Sequence, residues 1–124
     1  EYGRRCGVMS YGQVICRDTE QEARRQHEYI LEKGDYVAAR NILETFGVES
    51  ETAPEGFLDM QKRLINGWFG YPLVGTPEQV VDLLLDARKT GLEGFLLTFL
   101  DYNEELDYFG ERVLPLMKQA GLRI

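Results

Sequence analysis

Few side chains in this 124-residue chain are equipped for chemistry, and most of those occur alone or in unhelpful spacing. His27 is the one histidine, so an imidazole general base would have to be that residue. It sits in the middle of an amphipathic stretch, where packing explains it better than catalysis. Cys6 and Cys16 have neither metal-ligand nor thiol-redox spacing, and read as two reduced packing cysteines. Glu104, Glu105, Asp107 and Glu111 are close enough to suggest a metal. At the start of a helix such a series is better explained as a solvated face with favourable charge near the N-terminus, and no metal is expected. Thr76 precedes a helix start whose free backbone donors suit a phosphate, but a capping box accounts for it. Trp68, Phe69 and Tyr71 form the densest aromatic cluster. Such rings can wall a ligand pocket, or simply fill a core or an interface. No glycine-rich phosphate loop and no Ser/His/Asp set is present.

The elements that would position these residues alternate in type. Cys6 to Cys16 reads as one strand or two short ones, with Gly7 and Gly12 marking a bulge or a close backbone approach. Thr19 and Glu22 form a capping box for a helix to about Lys33, with Ala23, His27, Ile30 and Leu31 on one face and Gly34 as its stop. Asp35 caps a short helix that buries Tyr36, Ala39, Ile42, Leu43 and Phe46. A third helix from Pro54 or Glu55 buries Phe57, Leu58, Met60, Leu64 and Ile65. These two helices read as an insertion at about 35–66. Pro72 to Val74 is a short strand, and Thr76, Pro77 and Gln79 open the next helix, which buries Val80, Val81, Leu84 and Ala87. Gly94 to Leu100 is apolar without alternation, as expected of a parallel strand covered on both faces. Asp101 caps a last helix with Leu106, Phe109, Val113 and Ala120 inward, and Pro115 should kink it near Glu111.

Strands alternating with helices imply right-handed crossovers and a parallel sheet. The fold class is therefore α/β, the whole chain reading as one segment over 1–124. It looks like the closing part of a (β/α)₈ TIM barrel, incomplete as given, since a full barrel takes about 250 residues. The formal net charge of −7 argues against nucleic acid or an anionic membrane as partner. No apolar run approaches the roughly 18 residues a spanning helix needs, and a cytoplasmic location is expected.

Several of these segments resemble the bacterial-luciferase-like flavin-dependent monooxygenases. Val14 to Ala23, VICRDTEQEA, is similar to that family's sixth strand running into its helix. Val74 to Val80, VGTPEQV, Gly91 to Leu97, GLEGFLL, and Phe109 to Met117, FGERVLPLM, resemble its C-terminal signature. Gly70 to Pro77 with Leu96 to Phe99 are most similar to the branch of dimethyl-sulfone and pyrimidine monooxygenases.

The resemblance implies strands six to eight of the family barrel. It also implies an oxidoreductase in which reduced FMN, from a separate flavin reductase, and O₂ oxygenate a small organic substrate. A homo-oligomer is expected with it. Barrel sites lie at the C-terminal ends of the strands, here near Arg17–Asp18, Val74–Thr76 and Leu100–Asn103. Most flavin contacts of the family come from earlier strands. An Arg and a His that serve the alkanesulfonate branch match Tyr11 and Gln13 here, which removes the cation a sulfonate needs. Tyr11, Gln13, Trp68 and Tyr71 are thus the substrate or flavin pocket candidates, and no catalytic residue is assigned. Two alternatives remain: a catalytically inactive α/β interaction module, and a deazaflavin (F420)-dependent reductase of the same superfamily.

Overall fold

Each of the three strands runs into a helix whose first turn is closed by its own side chains. The computed structural model describes residues 3–4, 6–48 and 54–123. Strand β1 (Met9–Cys16) leads to helix α1 (Glu20–Lys33) through Thr19, whose hydroxyl accepts from the Glu22 amide while Glu22 accepts from the Thr19 amide. After α2 (Tyr36–Thr45) and α3 (Pro54–Ile65), strand β2 (Tyr71–Gly75) leads to α4 (Pro77–Lys89). There Thr76 and Gln79 form the second capping box, with Pro77 preset for the helix. Strand β3 (Gly94–Thr98) leads to α5 (Tyr102–Arg112) through Asp101, whose carboxylate accepts from the Asn103 amide. The chain continues into α6 (Leu114–Gln119).

Both strand pairings are parallel, and the sheet order is β2-β1-β3. Val14 lies opposite Leu73, and Tyr11 opposite Leu96. Three consecutive strands of a barrel would place the second in the middle. Here the first strand is central, and β3 takes its second edge. Gly12 permits the crowding this needs: a Cβ there would come 3.0 Å from Leu73 Cδ1 and 3.1 Å from Phe95 Cδ1.

Side chains alternate across the sheet, so β1 divides its residues between two faces. On one, Val14 and Cys16 join Leu73, Val80, Val81 and Leu84, together with Phe99, Phe109 and Val113, in the main core. On the other lie Tyr11, Gln13 and Ile15. A smaller cluster of Ala39, Leu43, Phe57 and Leu64 holds α2 against α3.

The structure corrects several expectations. Strand β3 is not covered on both faces: Leu96, on the face away from the main core, is 62% exposed. Phe46, Leu58, Met60 and Leu106 are exposed rather than buried. Helices α2 and α3 pack chiefly on each other, with α3 also touching α1, and bury a narrower stripe than their apolar spacing allows. Gln61 is buried instead, its Nε2 donating to the Tyr36 carbonyl at 2.7 Å. Gly34 ends α1 in extended conformation, not as a left-handed stop. What it supplies is room, since a Cβ there would meet Ile65 Cγ2 at 2.5 Å. Pro115 goes further than a kink, dividing the last helix in two at Val113. Cys6 is exposed and only Cys16 packs inside. The expected polar tail at Glu1–Arg5 falls largely outside the described residues, as does most of the Val48–Pro54 loop.

Candidate functional site

Gln13 projects from mid-β1 on the face away from the main core and is 7% exposed. A buried amide needs partners. Its Oε1 accepts from the Thr98 hydroxyl at 2.7 Å, across the β1–β3 pairing that sets Gln13 opposite Thr98. The backbone of the α3–β2 turn closes over it. A Cβ on Gly67 would lie 2.5 Å from Gln13 Oε1, and one on Gly70 would lie 2.8 Å from the Tyr11 ring. The two glycines therefore let the turn run flat across Gln13 and half-buried Tyr11.

That turn is bent hard. Gly67 has φ +115°, and Trp68 and Phe69 follow at φ +53° and +64°, a region bulky side chains rarely occupy. Hydrogen bonds to the end of α3 hold it there: Trp68 N donates to Leu64 O at 2.9 Å and Phe69 N to Arg63 O at 3.0 Å. The result sets two large rings into solvent, Trp68 at 60% and Phe69 at 44% exposed. Strained backbone that presents apolar rings is a feature functional sites tend to show. Trp68 lines the mouth of a 420 Å³ pocket with Tyr29, Lys33, Ile42, Ile65 and Leu100. A pocket of this size and apolar wall falls in the small-molecule range.

Asn66 introduces the turn. It is 8% exposed, and its Oδ1 is buried without a well-aligned hydrogen bond. The His27 imidazole faces it, and burial depresses the His27 pKa below the ordinary value, against the pull of Asn66 and Glu28. His27 is thus a packing partner of the turn, apart from the strand ends. Tyr71 does not join Gln13. It is the first residue of β2, opposite Gly12, and lies tilted against Phe95 with ring centroids 6.4 Å apart. Alternation puts it on the other face of the sheet. Cys16 is chemically quiet, its thiol pushed up to about 12 by burial, against the nearby Arg17 charge.

The C-terminal strand ends carry a second polar group. Arg17 Nη2 donates to Glu105 Oε1 at 2.6 Å, and Glu105 Oε2 accepts from the amides of Leu100 and Asp101 at 2.8 and 3.2 Å. Tyr108 donates to Asp18 at 2.8 Å. These side chains tie β1 to α5 and are spent on each other.

The family resemblance pointed to Tyr11 and Gln13 and the aromatic cluster to Trp68, but neither pointed to Thr98, Gly67, Gly70 or Asn66. A lone threonine in the apolar run GFLLTFL was the available signal for Thr98. The glycines pair with strand residues far away in sequence, and nothing local announces that.

Comparison with known proteins gives this arrangement its setting. Residues 1–94 match the family described as Luciferase-like monooxygenase. The chain is 32% identical over 119 residues to the FMNH2-dependent dimethylsulfone monooxygenase of Pseudomonas fluorescens, covering 91% of this chain and 32% of that protein. It is 31% identical over 139 residues to the sulfoquinovose monooxygenase of Novosphingobium aromaticivorans, covering 99% of this chain and 38% of that protein. The crystal structure of riboflavin lyase with modified FMN and substrate riboflavin superposes at TM-score 0.73 with 22% identity, over 95% of this chain and 32% of that one. The chain thus spans about a third of the length of the relatives it matches.

Proposed function

The chain belongs to the luciferase-like monooxygenase family, and from that premise we propose that it forms the closing part, strands six to eight, of a (β/α)₈ flavin-dependent monooxygenase. In this reading reduced FMN is delivered by a separate reductase, and a small neutral organic substrate, a sulfone or a pyrimidine, is oxygenated with O₂. Reduced flavin supplies the electrons for that chemistry. The location proposed is cytoplasmic; among the described residues no helix is long and apolar enough to cross a membrane.

One observation carries the substrate class. The polar centre of the candidate site is the uncharged Gln13–Thr98 pair, with Tyr11 beside it and no cation within its hydrogen bonds. A buried neutral amide and a half-buried hydroxyl suit a sulfonyl or ring-carbonyl oxygen, whereas a sulfonate would be left with an unpaired charge. Tyr11, Trp68 and Phe69 fit the aromatic side of a flavin or substrate. The helix N-termini here fit its phosphate less well, because Thr19, Thr76 and Asp101 already occupy first-turn donors. The phosphate is therefore assigned to strands beyond this chain.

The test is oxygen consumption by the family-length protein with reduced FMN and a panel of sulfones and pyrimidines. Gln13→Leu should cut product formation at least tenfold with unchanged circular dichroism. No substrate-dependent product across the panel would overturn the reading. A second reading draws on the sheet order: the outer edges of β2 and β3 pair with no other strand among the described residues, and an open edge suits an α/β interaction module. Stoichiometric binding of FMN by the 124 residues alone would count against that module.

A further inference from the structure

Among the described residues, one buried side-chain polar atom lacks a hydrogen bond of good geometry: Oδ1 of Asn66, a residue only 8% exposed. Folded proteins rarely leave such an acceptor unmatched. The group facing it is the His27 imidazole, one helical turn on from fully buried Ala23 in α1. The two meet where α1 and α3 already approach closely, as the tight fit of Gly34 on Ile65 shows. Beyond Asn66, the hydrogen bonds of the turn run back to α3, from Trp68 N to Leu64 O and from Phe69 N to Arg63 O. Helix α3 itself packs chiefly on α2. The frame that carries Tyr11 and Gln13 is different: β1 passes through the Thr19 capping box straight into α1. The Asn66 side chain therefore joins the turn to the frame it covers.

We propose that His27 is a positioning residue for the Gln13 site: an imidazole N–H donates to Asn66 Oδ1 and so fixes the turn at 66–70 over Gln13 and Tyr11. This rests on the reading of Gln13 as the polar centre of the substrate site. An amide oxygen can only accept, so the ring nitrogen facing it must carry the hydrogen, which selects one tautomer of the neutral imidazole. Burial favours that neutral ring, outweighing the pull of Asn66 and Glu28. The turn has no slack with which to absorb a lost anchor. A Cβ on Gly67 would lie 2.5 Å from Gln13 Oε1, and one on Gly70 would lie 2.8 Å from the Tyr11 ring. Because Gln13 Oε1 accepts from Thr98, Nε2 is the atom left to donate to a substrate oxygen. The direction in which Nε2 points depends on the backbone lying over it. His27 touches no substrate in this scheme and acts through Asn66 and the turn.

NMR of the 124-residue chain tests the anchor, helped by His27 being its one histidine. At pH 7.5 the imidazole nitrogen shifts should report a single neutral tautomer; an even mixture of both overturns the proposal. His27→Leu, which keeps apolar bulk and removes the donor, should lower hydrogen-exchange protection of the Trp68 and Phe69 amides at least tenfold while the β1 amides keep theirs. His27→Gln or His27→Asn, whose side-chain N–H stands in for Nε2 or Nδ1, should restore it in one of the two. In an Asn66→Ala background His27→Leu should have no further effect. No change in the turn, or equal loss throughout the chain, overturns the anchor. The Gln13 side-chain amide signal should move in His27→Leu and return in the rescuing variant. Altered exchange with an unmoved Gln13 signal overturns the positioning role and leaves the site reading standing. In the family-length protein, His27→Leu should raise KM for dimethyl sulfone at least threefold with kcat within about twofold, again rescued. If Gln13→Leu cuts product formation and His27→Leu leaves KM unchanged, the site stands and the positioning role falls. If neither variant has an effect, both fall.

Discussion

Strands β2 and β3 are both five residues long, both parallel to β1, and held to it by different forces. β2 is held from beneath. Leu73 is fully buried among Val14, Val80 and Val81, and the strand runs straight into a capping box. β3 is held from its end. None of its residues is fully buried: Phe95 and Leu97 pack half-buried on the main core, Thr98 donates to Gln13, and polar clasps tie the following helix α5 to the end of β1. Apolar burial is non-directional and hard to relocate, whereas a few hydrogen bonds at a strand end are specific and individually weak. The comparison explains why β2 is the more deeply seated of the two partners of β1.

The sharpest way to break this contrast is to truncate each strand's central leucine. Leu73→Ala removes a fully buried side chain and should cost about 2–5 kcal/mol in urea unfolding. Leu96→Ala, on the exposed face of β3, should cost no more than about 0.5 kcal/mol. Comparable losses would mean that β3 is seated as firmly as β2.

Next in size is the turn that leads into β2. Gly67→Ala puts a Cβ where φ is +115° and only 2.5 Å separates it from Gln13 Oε1. The expected loss is about 1–3 kcal/mol, together with a shift of the Trp68 fluorescence as the ring is displaced. Gly47→Ala is the control, with a similar left-handed φ but nothing within 4 Å. It should cost about 1 kcal/mol and leave the fluorescence alone.

The clasp on β3 should be worth less than the β2 core. Glu105→Gln keeps an acceptor for the Leu100 amide but removes the charge facing Arg17, in a pair whose side chains are only 29% and 13% exposed. About 1–2 kcal/mol is expected from the lost charge-assisted bond. The exposed Arg24–Glu20 pair has the same chemistry on open surface, where Glu20 also accepts from Gln79 Nε2, and Glu20→Gln should cost clearly less than Glu105→Gln. Equal effects would remove the distinction between a clasp and an ordinary surface pair.

The same division decides what could be read from the sequence. The helix after β2 was legible because its signals are local: Thr76, Pro77 and Gln79 announce it within four residues, and Val80, Val81 and Leu84 repeat at helical spacing. The family too was legible there, since VGTPEQV is one continuous stretch. The place of β3 was not. GFLLTFL has the composition of a covered strand, and only its partner decides whether Leu96 meets a helix or water. Strand order is a long-range property, set by Gly12 and by Arg17 meeting Glu105 across most of the chain. In the candidate site, Gln13 and Tyr11 followed from alignment to family positions, while Thr98 and Gly67 required the sheet register. Which face Tyr71 takes also needed the register, since one residue along a strand changes the face.

The two flanks of β1 should also titrate at opposite ends of the pH scale. On the β2 side, burial depresses the His27 pKa below the roughly 6.5 of an unfolded chain. Between those two values the unfolded state binds more protons than the folded one. The His27 contribution is therefore intact above about pH 6.5 and is lost as pH falls through the folded pKa. On the β3 side, burial and then the bond to Asp18 raise the Tyr108 pKa above the roughly 10 of an unfolded chain. That contribution is complete below about pH 10 and is lost as the pH climbs from there toward the folded value. His27→Gln should flatten the acid limb of a stability-versus-pH curve and leave the alkaline limb unchanged. Tyr108→Phe should do the reverse, and should loosen β3 alone. If Tyr108→Phe flattened the alkaline limb without changing exchange of the β3 amides, the hydroxyl would be anchoring α5 to β1 with no hold on the strand before it, and the clasp would reduce to the Arg17–Glu105 pair.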